Sequence, residues 1–331
     1  MTSLRISFGL AGIATRGPWL RIATVLVGCL FLSTPASAVI ITRDATGNTS
    51  PPTDPALATR WGQVGNFNAY MGTPIASQFF LSAKHLGNLT GQSITFPDSS
   101  SYVTTAGFFD PSSDLAIYQI AGTFPSDKIV PLYSGGFTTN QSMYIFGRGV
   151  PRTTTDVIGN AFPSGTEAKG WTWGTGTSAR SWGTNSFNQI VSDASAGPQI
   201  AYDFDYNGTG SDEGILSVGD SGGPVFMQEG GSWKLAGINY AVQTPFNTTN
   251  TGGGFNAAIF DKGGLYSLSA PSTWTYTNPT SSNQPAFSFS SSVPANSTWI
   301  ATIVPEPASL AVTALASAAC LSCLLRSRRA V

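Results

Sequence analysis

Residues 217–226 read SVGDSGGPVF. Ser221 stands in a Gly-x-Ser-x-Gly pattern, Gly219-Asp220-Ser221-Gly222-Gly223. Glycines on both sides let the backbone turn sharply, so that a serine hydroxyl and nearby backbone N–H groups can converge on one reacting carbonyl. Serine is a weak nucleophile until a base takes its proton. The chain offers one imidazole for that work. His85, in FLSAKHLGNLT (80–90), is the single histidine among 331 residues. Any Ser–His chemistry in this protein must therefore use it.

Chain order then selects among the folds that display a nucleophilic serine. The Gly-x-Ser-x-Gly elbow of α/β-hydrolases requires a histidine after the serine, as the GDS-type lipases do. No histidine follows Ser221. The remaining order is His, Asp, Ser. Three segments in that order resemble the trypsin-like (chymotrypsin-fold) serine proteases: FFLSAKHLG with His85, SSDLAIYQI with Asp114 opening an alternating strand, and GDSGGPVF with Ser221. The resemblance covers roughly residues 60 to 270. It implies an all-β fold of two packed antiparallel Greek-key β-barrels, about 39–130 and 131–270, with the active site between them. It implies Ser221 as nucleophile, His85 as proton shuttle, Asp114 as the carboxylate that orients it, and the amides of Gly219 and Ser221 as oxyanion donors. The implied activity is endopeptidase hydrolysis of polypeptides, without a cofactor, by a monomer. Asp110 and Asp98 are the competing aspartates. Both sit in turns, and Asp110 lacks a following strand. A catalytically silent binding or adhesion barrel and a structural surface protein are the competing classes; both leave the complete motifs unexplained.

The departures from the family pattern are local. Leu86 follows the histidine where the family has a bridged cysteine, and Lys84 precedes it where the family has a small residue. Six residues before Ser221, where the family has the floor of its primary specificity pocket, stands Ile215. With Asn239, Tyr240 and Ala241 on the wall, that floor is expected to favour apolar, small-to-medium side chains and to disfavour an unpaired cation. Asp220 matches the family's partner for a freed apolar N-terminus. No activation site precedes His85, but cleavage after Ala38 would free Val39-Ile40-Ile41 and supply an amine to Asp220.

Residues 1–38 read as a secretion signal. Arg5, Arg16 and Arg21 precede or flank the apolar run IATVLVGCLFL, and Ala36-Ser37-Ala38 forms a small-residue cleavage site. At the other end VPEP (Val304 to Pro307) precedes an apolar run, Ala308 to Leu325, and Arg326 to Arg329 include three arginines. Segment 304–331 resembles the PEP-CTERM sorting tail of certain bacteria, which implies a transmembrane helix, processing by an exosortase-type enzyme after signal peptidase, and delivery to the envelope surface or extracellular matrix. Net charge is −1, which gives no basic excess for nucleic acid. Charged residues make up only 10%, against roughly 25% in an average soluble domain, which fits an exported protein with a hydroxyl- and amide-rich surface. The three cysteines, Cys29, Cys320 and Cys323, all fall in the terminal segments, so the body stands on packing alone and has no ordinary zinc ligand set. Residues 271–303, rich in Ser, Thr, Pro and Asn, read as a spacer. Asp203, Asp205 and Asn207 resemble the first half of a calcium loop, but Gly214 stands where the closing glutamate belongs. An acidic surface turn is the plainer reading, with structural calcium the alternative.

Overall fold

Short runs of β-branched and aromatic residues bounded by Gly, Asn, Ser and Pro set a β architecture. The computed structural model describes residues 39–159, 167–176, 179–206, 208–270 and 272–304; the expected signal and the tail from 305 onward lie outside them. In chain order the elements are β1 (Ile40–Ile41), α1 (Pro55–Gln63), β2 (Gly65–Phe67), β3 (Tyr70–Ala76), β4 (Phe79–Ala83), β5 (Ser93–Thr95), β6 (Ser101–Phe109), β7 (Leu115–Ile120), β8 (Ser142–Gly147), β9 (Arg152–Ile158) and β10 (Ala168–Trp173). There follow β11 (Ser181–Ser186), β12 (Gln189–Asp193), β13 (Gly197–Asp203), β14 (Gly214–Ile215), β15 (Pro224–Glu229), β16 (Ser232–Val242), β17 (Phe246–Asn247), β18 (Ala257–Ile259), β19 (Tyr266–Ala270), β20 (Thr273–Tyr276), β21 (Phe287–Ser292) and α2 (Ser297–Ile303). No helix among the described residues is long and apolar enough to cross a membrane.

Strands β2-β3-β4-β7-β6-β5 form a closed barrel, sealed where β2 meets β5 at Asn66↔Thr95 and Phe67↔Ile94. Its interior is aromatic. Phe67 meets Phe80 and Tyr118 edge-on, with ring centroids 4.9 and 4.8 Å apart, and Phe96 and Phe124 continue the cluster. Such pairs add about 0.5–1.5 kcal/mol each beyond area burial. The second half is an antiparallel seven-stranded sheet, β11-β8-β15-β16-β21-β13-β12. The architecture is all-β, as expected, but only the first of the two expected barrels is closed: no strand pair closes the second sheet among the described residues. A shared core joins the halves: Leu81, Ala83, Leu115 and Ile117 from the barrel pack in one cluster with Phe146, Phe226, Leu235 and Ile238 from the sheet. The strands that carry the site are thus fixed against each other.

The spacer reading of 271–303 does not hold. Strand β21 lies inside the large sheet between β16 and β13, with Ser290 opposite both Asn239 and Ile200. Its serines are buried and hydrogen-bonded. Ser290 Oγ donates to Asn239 Oδ1 at 3.1 Å, and Ser288 Oγ accepts from the Leu216 N–H at 3.1 Å. Polar composition concealed a core strand because each hydroxyl has a partner. After β21, α2 inserts Ile300 into the shared core. The folded body therefore runs on to residue 303.

Candidate active site

His85 sits on a single 3-10 turn, Lys84–Leu86, at the end of β4. Asp114 lies just before β7, the neighbour of β4, and is buried. The two segments are tied through the backbone by Lys84 N–H donating to Asp114 O at 2.7 Å. The Asp114 carboxylate then takes two further hydrogens from the histidine. Oδ1 accepts the His85 backbone N–H at 2.8 Å, and Oδ2 lies 2.7 Å from Nδ1. A carboxylate only accepts, so Nδ1 carries the hydrogen and Nε2 presents a lone pair. Nε2 lies 2.8 Å from Ser221 Oγ, which places it to take the serine proton. Tyr240 meets the imidazole edge-on at 5.7 Å. The structure thus joins the three residues that the motifs placed far apart in sequence.

The rival aspartates are occupied elsewhere. Asp110 Oδ1 accepts from Ser112 N and Oγ, and its Oδ2 accepts from Ser113 Oγ, in a turn. Asp98 pairs with Lys128 at 2.6 Å. Lys84 Nζ donates to Asp110 O at 2.6 Å. Where the family has a cysteine bridge, Leu86 packs against the shared core. Tyr118 completes the hold: its hydroxyl donates to Gly87 O at 2.7 Å and accepts from Leu89 N–H at 3.3 Å.

The glycines around Ser221 have separate physical reasons. Gly219 has φ +98°, a conformation that side chains rarely adopt. At Gly222, φ is +76° and a Cβ would lie 2.5 Å from both Met71 O and Ser82 Oγ, so the loop could not seat against the barrel. The N–H groups of Gly219 and Ser221 have no acceptor among the described residues, which leaves both to a developing oxyanion. Asn239 holds the loop from beneath. Its Nδ2 donates to Phe146 O at 2.9 Å and to Asp220 O at 3.2 Å, and its Oδ1 accepts from Ser290.

Asp220 is buried beneath the nucleophile. Its carboxyl accepts from Gly149 N–H at 2.7 Å and Ser217 N–H at 2.7 Å, yet burial outweighs these bonds and pushes its pKa up to about 7. Val39 is buried beside it. A Cβ on Gly147 would lie 2.0 Å from Asp220 Oδ1 and 3.0 Å from Val39 Cγ2. Strand β1, which begins one residue later, pairs with β14 on the approach to the serine loop.

A cleft of about 350 Å³ opens beside the triad, and Asn239, Tyr240 and Ala241 line it as expected. Ile215 does not. It is buried on β14 opposite Ile40 and packs behind the cleft with Phe204 and Phe246, because pairing with β1 turns it into the core. Leu216, Val218 and Val242 form the apolar wall instead. Trp173, Thr244 and Asn256 complete the cleft. The motifs did not point to them, and the signal that could have was the aromatic GWTWG run at 170–174. A larger cavity of about 640 Å³, lined by Ile75, Leu132 and Ile300, contains none of the triad.

No group of three or more metal-ligating side chains gathers among the described residues. Of the calcium candidates, Asp203 accepts from Asn188 Nδ2 at 3.2 Å, and its pKa is raised by burial and the nearby Asp205. Asn207 lies outside the described residues. Glu213 is engaged by Thr209, whose N–H donates to Oε2 at 2.7 Å.

No family model matches the chain, and no curated protein matches it. Among solved structures it is similar to neuropsin, a serine protease expressed in the limbic system of mouse brain, at 13% identity over 74% of this chain and 95% of that one, with a TM-score of 0.44. So distant a likeness carries no weight for chemistry, and the reading of the site rests on its own geometry.

Proposed function

We propose that the protein is an exported serine endopeptidase that hydrolyses peptide bonds through an acyl-enzyme. One observation carries the reading: the unbroken relay Asp114–His85–Ser221, with links of 2.7 and 2.8 Å. Ser221 Oγ attacks the scissile carbonyl and its proton passes to His85 Nε2. Asp114 stabilises the imidazolium, and the Gly219 and Ser221 N–H groups receive the oxyanion. The imidazolium then returns the proton to the leaving amine, and water repeats the sequence to release the acid. Fluorophosphonate labelling tests this directly. The mature protein is expected to be labelled stoichiometrically, and neither Ser221→Ala nor His85→Ala should be labelled at a comparable rate; equal labelling of the Ser221→Ala variant would overturn the reading.

Removal of the signal after Ala38 serves in this reading as activation. A freed Val39 amine, next to the buried Asp220 carboxyl, would supply the missing cation. The sign of the pH dependence follows. In the uncut chain Asp220 has a folded pKa of about 7, above its ordinary 3.8, and Glu213 is likewise raised from 4.5 to about 7 by burial. The folded state then binds more protons than the unfolded state between those values. Stability present below about pH 4 is lost as pH rises to about 7, by on the order of 3 kcal/mol per fully desolvated group. A chain cut to begin at Val39 is expected to escape the Asp220 part of this loss. Urea unfolding of the two forms at pH 4.5 and 7.5 measures the difference; identical pH dependence would argue against the amine–Asp220 pair.

The wider setting is part of the same proposal. The signal-like start and the PEP-CTERM-like end support export, exosortase-type processing and an envelope or matrix destination. Mass spectrometry of the protein from its native envelope, reading both termini, tests these steps.

A further inference from the structure

Two arginines meet beside the serine loop, outside the cleft. Arg148 follows β8 and Arg180 precedes β11, one step beyond the last pair of those strands, Ser181↔Gly147. Burial, and after it the charge of Arg148, pushes the Arg180 pKa down to about 10. Like charges opposed across a ladder are destabilising. Neither guanidinium has a carboxylate within ion-pair distance among the described residues, whereas Arg43, Lys128, Lys169 and Lys234 all do. The two arginines differ in their hold. Arg180 is buried and fastened: Nη1 donates to Trp61 O at 2.7 Å and Nη2 to Asn66 Oδ1 at 3.1 Å. Arg148 is half-buried. Its Nη1 donates to Asn68 O at 3.2 Å, and the rest of its fork has no acceptor among the described residues.

Position ties Arg148 to the reaction. Its backbone packs against the oxyanion loop: a Cβ on Gly219 would lie 3.0 Å from Gly149 Cα and 3.5 Å from Arg148 O. Its side chain crosses to Asn68, in the turn between β2 and β3, and Met71 at the start of β3 sets its carbonyl against Gly222. The guanidinium therefore bridges the two flanks of the loop that carries Ser221. None of Arg148, Asn68 and Met71 lines the cleft. With the side chain before the scissile bond in the cleft, the chain after the bond leaves past Gly222 and Met71 and meets the arginines. A lysine or arginine in that chain would add to an uncompensated positive charge. A carboxylate supplies the counter-ion that both guanidiniums lack, and the open fork of Arg148 matches its two oxygens.

Resting on the endopeptidase reading, we propose that the protein selects polypeptides with an acidic side chain on the leaving-group side, within roughly three residues or about 10 Å of extended chain after the scissile bond. Arg148, backed by the fixed charge of Arg180, is the specificity-determining residue that pairs with it.

The test uses the mature protein and internally quenched peptides built on one cleaved sequence, with Glu or the isosteric Gln placed in turn at each of the first positions after the scissile bond. At one of these positions kcat/KM is expected to favour Glu by about fivefold at low ionic strength, and the preference should shrink toward one in roughly 1 M salt, where the Debye length is about 3 Å. In Arg148→Gln the Glu:Gln ratio should fall to one or below at low salt as well. Arg180 is left in place because it fastens the two halves. A cooperative melting transition shows that Arg148→Gln is folded. A wild-type Glu:Gln ratio near one at every position, a preference that salt does not weaken, or an unchanged ratio in folded Arg148→Gln overturns the assignment and leaves the endopeptidase reading standing. Failure of the wild type to label at Ser221 with a fluorophosphonate would overturn both, which separates the two kinds of failure.

Discussion

Replacing His85 with alanine is expected to lower kcat for peptide hydrolysis by on the order of 10⁶, and Ser221→Ala by a similar factor. Nucleophile and base act as one unit, so the double variant should be scarcely worse than either alone. Asp114→Asn should cost roughly 10⁴. The smaller figure has a structural cause. The Asp114 carboxylate accepts both the His85 backbone N–H and Nδ1. An amide in its place can present an N–H to the ring, which moves the ring hydrogen to Nε2 and removes the acceptor that Ser221 needs. The fold around it should persist, because the Lys84–Asp114 backbone bond does not involve the side chain. Steady-state kinetics on one peptide with the wild type and the four variants gives the comparison. A His85→Ala enzyme within tenfold of wild type would exclude the proposed mechanism.

The second large effect concerns folding. A chain ended at residue 270, where composition changes, is expected to show no cooperative unfolding transition, whereas one ended at 304 should melt like the longer protein. Ending at 270 removes β21 and strips partners from Gly237 to Val242 on one side and Gln199 to Asp203 on the other. It also orphans buried Asn239 Oδ1 and removes Ile300 from the shared core. Each buried group left unpaired costs about 1–3 kcal/mol, and several such losses exceed a typical net stability of about 5–15 kcal/mol. Circular dichroism during heating distinguishes the outcomes. A sharp transition in the 39–270 chain would show that β21 is dispensable.

The contrast between the two ends of the molecule explains what could be read from sequence. Ser221, His85 and Asp114 were legible because their chemistry restricts their neighbours. Gly219 must take a left-handed conformation, Gly222 must clear Met71 and Ser82, and Asp114 must open a strand beside that of His85. The role of β21 was not legible, because FSFSSS is polar by composition and apolar in effect once each serine finds a partner. Ile215 misled for a different reason. Counting back from Ser221 assumes a backbone path, and pairing with Ile40 turns that side chain inward. Asn256, Thr244 and Trp173 meet only through tertiary pairing of the β9–β10 hairpin with the chain around β18; the GWTWG run marked Trp173 but not its partners.

The turn that carries His85 is held by a phenol and a leucine, Tyr118 and Leu86, in a body without a single cysteine. Its fastening is therefore indifferent to thiols. Reductants, oxidative folding catalysts and the redox poise of the surroundings have no purchase on the geometry of the candidate site. An environment rich in sulfide or glutathione would leave the Asp114–His85–Ser221 hydrogen bonds as they stand.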